Sequence, residues 1–168
     1  MSSGVDAICV LPEGLDTRAT LRSSIGMLLE DGCVFAPDTL VIFNEVDCHE
    51  RDSEPADSLA IAEEMLANWP SSGGTQLLYR DQVLFLRLCG LNAHVVDAVS
   101  ISIGSKHFFR DRGLRASFLG VVRDLHEKLG GLRTIVDVDL LVPGSRWREY
   151  VVEAREGSLT KADILNLP

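Results

Sequence analysis

The sequence lacks any apolar run long enough to span a bilayer, and its first residues lack a basic segment followed by a hydrophobic one. A membrane-spanning helix needs about 20 mostly apolar residues, and a secretory signal needs both of those N-terminal segments. The sequence therefore predicts neither a membrane span nor a secretory signal.

Cysteine is also sparse. The chain has four cysteines, far apart and without any Cys-x-x-Cys pair. Structural zinc sites use closely spaced ligand pairs, and secreted domains stapled by disulfides use denser cysteine frameworks. We therefore expect no structural zinc and a reduced, cytoplasmic location.

Several catalytic signatures are missing as well. The sequence contains no G-x-S-x-G elbow, no P-loop and no G-x-G-x-x-G following a strand-like run. These motifs place a nucleophile or phosphate-binding backbone at a strand end. Their absence favours a protein that is not an enzyme and that needs no cofactor and no metal.

Positive charge is in deficit, with 16 Lys and Arg residues against 25 Asp and Glu and a formal net charge of −9. A strongly acidic surface repels nucleic-acid phosphates, so we expect no nucleic-acid partner. The balance fits a cytoplasmic protein, monomeric or homodimeric, or one whose partner is basic.

What is present predicts a folded domain of strands and helices. Val-Asp-Ala occurs at 5–7 and again at 96–98, each time at the start of an apolar run. Alternating apolar residues predict strands, and apolar residues at helical spacing predict amphipathic helices. The predicted strands are 5–11, 39–46, 75–79, 82–88, 95–103 and 133–142. The predicted helices follow the first strand up to Asp31-Gly32, then cover 58–69, 114–129, 146–155 and a short C-terminal stretch ending at Leu165. Asp16 or Thr17 can cap the first helix, Arg80-Asp81 is consistent with a tight hairpin turn, and a helix is preferred over a strand for 146–155.

This order predicts an α+β fold over residues 1–168, in a single domain. We expect a mostly antiparallel or mixed sheet with helices on one face. Two ferredoxin-like βαβ halves, one starting at each Val-Asp-Ala, are one arrangement that fits. The strands at 5–11 and 96–103 should then occupy equivalent, central places in the sheet.

Acidic residues concentrate in the stretch 44–57, which we interpret as a polar loop containing a single base, Arg51. Loops of one charge sign suit contact with an oppositely charged surface. Within it, "VDCHE" (46–50) contains metal-ligand types, but adjacent residues rarely converge on one ion, so a solvated acidic loop is the default. The predicted partner-binding residues are Glu45, Asp47, Glu50, Asp52, Glu54 and Asp57.

Basic residues concentrate in the segment "SKHFFRDRGLR" (105–115). An anion could bind here at the start of the following helix; the alternative is a solvated loop anchored by Phe108 and Phe109. The candidate ligand-binding residues are Lys106, His107, Arg110 and Arg112.

A third candidate is carboxylate chemistry on the last long strand. Asp137 and Asp139 lie two residues apart, so both would project from one face of a strand. Asp97 would add a third carboxylate if its strand pairs beside theirs, giving a set that could bind a metal. The alternative is that these acids mark the exposed face of a half-covered sheet.

The segment "VDAVSISIGSKHFFRDRGLRASFLGVVRDLHEKLGGLRTIVDVDL" (96–140) combines a Ser-containing strand, a basic connection, an amphipathic helix ending in Gly-Gly and a strand with a central Asp. It resembles the closing β-α-β unit of bacterial immunity proteins of contact-dependent or type VI secretion systems. The resemblance implies a cytoplasmic, non-enzymatic binder that neutralises a cognate toxin by covering its active site, here with the acidic stretch. Two alternatives stay open: a small-molecule-binding regulatory domain using 105–115, and a metal-dependent enzyme using Asp97, Asp137 and Asp139.

Overall fold

The computed structural model describes residues 3–35, 41–46, 50–67, 72–92, 94–141, 146–159 and 165–167. The helices are α1 (Thr17–Glu30), α2 (Leu59–Ala67), α3 (Ser105–Arg110), α4 (Arg112–Leu129) and α5 (Trp147–Glu156). The strands are β1 (Gly4–Asp16), β2 (Val41–Val46), β3 (Glu50–Pro55), β4 (Ser72–Tyr79), β5 (Gln82–Cys89), β6 (Val95–Gly104), β7 (Arg133–Val138) and β8 (Leu165–Leu167).

The strands form one sheet in the order β3-β2-β4-β5-β6-β1-β7-β8, and every neighbouring pair is antiparallel. The predicted α+β class is confirmed. β1 and β6 pair directly with each other near the centre, so the two Val-Asp-Ala strands do occupy central places. β6 and β7 flank β1 and run parallel to each other, with α3 and α4 between them in sequence. This is a split β-α-β unit.

The first predicted βαβ half is arranged differently from the second. β2 lies four places from β1, with β4, β5 and β6 between them. The pairing of two equivalent ferredoxin-like halves is therefore wrong for the first half. Strand order is set by long-range pairing, which the local pattern of each strand does not encode.

One face of the sheet forms the larger hydrophobic core. On β1, Val5, Ala7 and Cys9 point to this face, and α1 and α4 pack on it through side chains that include Ile25 and Phe118. The alternation along β1 follows from the two-residue period of a strand. Burial of these side chains removes apolar surface from water, which is the main stabilising contribution to the fold.

The opposite face of the sheet carries a second, smaller core. Ile8 and Val10 of β1 pack there with Trp147 and Val151 of α5, and all four side chains are buried. The expectation of helices on one face is therefore wrong, because α5 lies on the other side. Its apolar stripe of Trp147, Val151 and Ala154 needs a partner, and Ile8 and Val10 supply one.

Two stretches interpreted as loops contain regular structure. The stretch 44–57 includes β2 and β3, paired antiparallel from Val41↔Pro55 to Val46↔Glu50, so the loop interpretation is wrong there. The segment 105–115 is also no open loop, since it contains α3 and the first turn of α4. Its connection is short because Asp111 both ends α3 and caps α4, accepting a hydrogen bond from the Leu114 amide at 2.9 Å.

The structure also differs from the prediction at the end of the last long strand and in the C-terminal segment. The strand expected to reach residue 142 stops at Val138, because Asp139 turns the chain with a φ of 54°. The predicted C-terminal helix lies partly outside the described residues, and Leu165 belongs to strand β8, which pairs with β7.

Other local signals are confirmed. Asp16 caps α1 by accepting a hydrogen bond from the Ala19 amide. Arg80 and Asp81 form the tight turn between β4 and β5 with φ values of 49° and 62°, as a two-residue hairpin turn of the primed type requires. Residues 147–156 form the helix preferred over a strand. No helix in the described ranges is long and apolar enough to cross a membrane.

Candidate functional site

The acidic stretch forms the outermost hairpin of the sheet, β2–β3, which we call the acidic hairpin. Glu50, Asp52 and Glu54 alternate along β3 and therefore occupy one face of that strand. Their partners across the hairpin are Val46, Asn44 and Ile42. In the register of the hairpin each acid is thus paired with an uncharged residue of β2, and successive acid positions are roughly 7 Å apart along the strand.

The other three predicted partner-binding residues lie in three different places. Glu45 lies on β2 opposite Arg51, on the other face of the hairpin from the acid row. Asp57 is exposed between β3 and α2. Asp47 lies outside the described residues. The structure therefore brings Glu50, Asp52 and Glu54 together and separates Glu45 from them.

The basic residues predicted as a ligand site lie on α3 and at the start of α4. Lys106, His107, Arg110 and Arg112 are all exposed there. Exposure on the outer surface of two helices suits contact with a partner surface better than enclosure of a small molecule.

Two packed phenylalanines hold α3 in place. Phe108 is fully buried and meets the ring of Phe118 of α4 edge to face, with 5.9 Å between ring centroids and 88° between planes. Phe109 points outward and is 52% exposed, although its edge still contacts Phe108 at 5.1 Å between centroids. The helix that carries Lys106, His107 and Arg110 is therefore firmly packed and also presents an exposed aromatic ring.

The structure adds a cation that the sequence did not reveal. A Cβ built on Gly113 would lie 3.9 Å from Nη1 of Arg80, so the β4–β5 turn reaches the first turn of α4. Sequence reasoning interpreted Arg80 only as a turn residue, since nothing local shows which helix a hairpin tip approaches. We define the basic surface as Arg80, Lys106, His107, Phe109, Arg110, Arg112 and Arg115.

The acidic hairpin and the basic surface lie at opposite ends of the sheet. Asn44 pairs with Gly73 at the beginning of β4, whereas Arg80 follows the end of β4. β4 has 8 residues, which corresponds to roughly 26 Å of extended chain. The protein is thus negative at one end of the sheet and locally positive at the other.

Asp97 does not contribute to a metal site. One of its oxygens lies 2.8 Å from Nη2 of Arg155, and the other accepts the Leu91 amide at 2.7 Å. Arg155 also donates to the carbonyl oxygen of Leu11 at 3.1 Å. The buried carboxylate of Asp97 therefore ties α5 to the sheet.

Asp137 and Asp139 also serve local structure. Asp137 accepts a hydrogen bond from the Val138 amide, and Asp139 accepts one from the Gly4 amide at 3.0 Å, closing the ends of β1 and β7. Within the described ranges, no three His, Cys, Asp or Glu side chains are grouped closely enough to hold a metal ion. The predicted set of Asp97, Asp137 and Asp139 is not brought together, because β1 separates β6 from β7.

The acid beside Asp137 is Asp6, which sequence reasoning did not select. The two face each other across β1 and β7. Asp6 is 6% exposed and accepts hydrogen bonds from the Ser102 hydroxyl and the Leu141 amide. Burial raises the pKa of Asp6, and these donors together with the nearby Arg87 partly oppose the rise. The repeated Val-Asp-Ala was the available signal, but it did not reveal which strand borders β7.

The cysteines within the described ranges are buried and carry free thiols: Cys9, Cys33 and Cys89. Burial raises the pKa of Cys9 to about 11 and that of Cys33 to about 12. A thiol with a raised pKa is a poor nucleophile. These thiols act as small core residues, while Cys48 and His49, two of the metal-ligand types in "VDCHE", lie outside the described residues.

An open groove of about 390 Å³ runs along the outer side of α5. Leu91, Val152 and the stems of charged α5 residues line it, and Val152 is 44% exposed. Its described lining combines the apolar Leu91 and Val152 with the charged Arg148, Glu149 and Glu153.

Comparison with known proteins gives one distant structural likeness. No protein-family model matches the chain, and no curated protein matches it in sequence. A solved structure of a T6SS protein from Pseudomonas aeruginosa aligns with 10% sequence identity and a TM-score of 0.45. The alignment covers 82% of this chain and 40% of that one, so this chain spans less than half of that protein's length.

Proposed function

We propose that the protein is a non-enzymatic bacterial immunity protein that binds a cognate secreted toxin and covers its active site. The observation that carries this proposal is the acid row of Glu50, Asp52 and Glu54 on the outermost strand. An edge strand is accessible to a partner along its length, and a row of carboxylates complements a positively charged cleft.

The overall charge supports the same proposal. A net charge of −9 raises the rate at which a basic partner meets this surface, because long-range attraction steers the encounter. The acids proposed for metal chemistry are meanwhile engaged in structural bonds, as the contact of Asp97 with Arg155 shows. The acidic hairpin is therefore the surface assigned to the toxin, with a basic active-site cleft as its target.

The test is co-expression with the toxin encoded beside the gene for this protein. The variant Glu50→Gln/Asp52→Asn/Glu54→Gln removes the acid row, and we expect it to lose protection and to bind the purified toxin at least tenfold more weakly. Each screened charge contact is worth a few tenths to about 1 kcal/mol, so three together reach this size.

The matched control is Glu13→Gln/Glu127→Gln/Glu156→Gln, which changes net charge equally at exposed sites on β1, α4 and α5. This control should protect like the wild type. Equal losses in both variants would show only a general charge effect and would contradict the acid row. A change in the mass of the toxin after incubation with the protein would contradict the non-enzymatic mechanism.

A further inference from the structure

The basic surface has more cations than acids: its five Lys and Arg residues lie with Asp81 and Asp111, which leaves a local excess of positive charge. Elsewhere Arg18 and Arg22 pair with Glu63, and Arg155 pairs with Asp97. Within the described ranges, no ion pair involves Arg80, Lys106, Arg110, Arg112 or Arg115. In a chain with 25 acids and 16 Lys and Arg residues, this local excess of positive charge leaves a surface suited to a negatively charged partner.

The same surface includes an exposed aromatic ring. Phe109 is 52% exposed, and Lys106 and Arg110 lie three residues before it and one residue after it on α3. Aromatic and arginine side chains dominate the binding energy of protein interfaces. An exposed phenylalanine among cations therefore matches a partner that has both acidic and apolar residues.

The packing beneath the surface holds it ready for contact. Phe108 and Phe118 are both fully buried, and the edge-to-face contact of their rings anchors α3 against α4. A preformed surface loses little conformational entropy on binding, which favours affinity. This sets the basic surface apart from a mobile basic tail.

We infer that the basic surface binds a short acidic and partly apolar peptide segment of a second partner protein. Carboxylates of the segment contact the arginines and Lys106, and an apolar side chain of the segment packs on Phe109. A long polyanion such as a nucleic acid, or an anionic membrane, would also face the rest of a protein with net charge −9. A short segment confined to the basic surface avoids that repulsion. This inference does not depend on the toxin, which is assigned to the other end of the sheet.

The test uses fluorescence anisotropy with a labelled synthetic peptide of alternating glutamate and leucine. Its companion probe has glutamine in place of every glutamate. We expect the acidic peptide to bind at least tenfold more tightly than its companion, with an affinity that falls as salt rises. Equal affinity for the two peptides would overturn the inference.

Variants then locate the site. Arg110→Gln/Arg112→Gln should weaken binding of the acidic peptide about thirtyfold, and Phe109→Ala about fivefold, as expected for contacts of about 1 kcal/mol each. The matched control is Arg123→Gln/Lys128→Gln, which removes two exposed cations from α4 beyond the basic surface. An equal loss in this control would overturn the site.

Further measurements test whether the basic surface instead binds a nucleic acid, an anionic membrane or a second copy of this chain. A single-stranded oligonucleotide or a phosphatidylserine vesicle that bound more tightly than the acidic peptide would overturn the choice of a peptide. Light scattering that showed a homo-oligomer abolished by Arg110→Gln/Arg112→Gln would assign the basic surface to a second copy of this chain, and would also overturn it. A monomer that binds the acidic peptide supports the inference.

Discussion

The sheet face beneath α1 and α4 and the sheet face beneath α5 bury different kinds of side chain. Under α1 and α4, the buried polar residues that the described strands contribute are two threonines, Thr75 and Thr134. Under α5, the buried side chains include charged ones: Asp6, Arg87 and Asp97. Among the strand residues, the second face thus adds buried charges with specific polar bonds to its apolar packing, whereas the buried charge on the first side, Glu63, belongs to helix α2 and pairs with Arg18 and Arg22 of α1.

This difference shows what the buried carboxylates do. Asp97 holds α5 through Arg155, and Asp6 holds the turn after β7 through the Leu141 amide. Carboxylates engaged in this way stabilise particular segments and are not available to ligands. The charged groups that remain for binding lie at the ends of the sheet, on the acidic hairpin and on the basic surface.

The largest expected effect tests the apolar face. Phe118→Ala removes a fully buried ring, so it loses the burial energy and leaves a cavity beside Phe108. We expect the free energy of unfolding to fall by about 3 to 5 kcal/mol, measured by urea denaturation. Phe118→Leu fills most of the space and should cost clearly less. A similar cost for both would show that the ring is not packed as described.

The next effect tests the polar face. Arg155→Ala leaves the carboxylate of Asp97, whose side chain is only 5% exposed, with the Leu91 amide but without its cation. We expect a loss of about 2 to 3 kcal/mol, because removing one partner strands a buried charge. The measurement is again urea denaturation at neutral pH.

The control for this prediction removes the buried carboxylate charge that Arg155→Ala leaves unpaired. Asp97→Asn in the Arg155→Ala background keeps an oxygen for the Leu91 amide and removes the charge. It should recover part of the lost stability. If it recovered none, the loss would come from the packing of the Arg155 stem, and the contrast between the two faces would weaken.

The sequence predicted the parts of the fold whose signal is local. The alternation in β1 and β6, the Asp16 cap and the Arg80-Asp81 turn were all readable, since each depends on neighbours in the chain. β3 was missed because its alternating residues, Glu50 to Glu54, are charged rather than apolar. An edge strand gains its stability from backbone pairing, so its side chains need not show the apolar alternation of a buried strand.

The candidate sites were predictable in composition but not in arrangement. The acidic and basic stretches were both identified from their residues. That Asp137 lies beside Asp6, and that Arg80 joins the basic surface, depends on which strands and helices meet. These contacts between elements depend on how the whole chain buries its apolar residues, so a single local motif cannot predict them.

The smallest effect comes from a carboxyl pair on the α1–α4 side of the molecule. Asp31 follows α1 and lies beside Asp124 of α4; partial burial and this neighbour raise the pKa of Asp31 from 3.8 to about 6. The folded state binds the Asp31 proton more strongly than the unfolded state does. The stabilisation that results is therefore fully present below the unfolded pKa and is lost as pH rises through the folded pKa.

Asp31→Asn should therefore stabilise the protein above about pH 6, and the gain should vanish below the unfolded pKa of 3.8. We expect at most about 1 kcal/mol, since the pair is partly open to solvent and is screened. The measurement is urea denaturation across this pH range, with the exposed Glu127→Gln of α4 as control. Asp124→Asn should give a smaller gain, because it removes the neighbouring carboxylate but leaves the Asp31 carboxyl partly buried. A gain that persisted unchanged below pH 3.8 would show that it does not come from the charge of the Asp31 carboxylate, and would contradict this prediction.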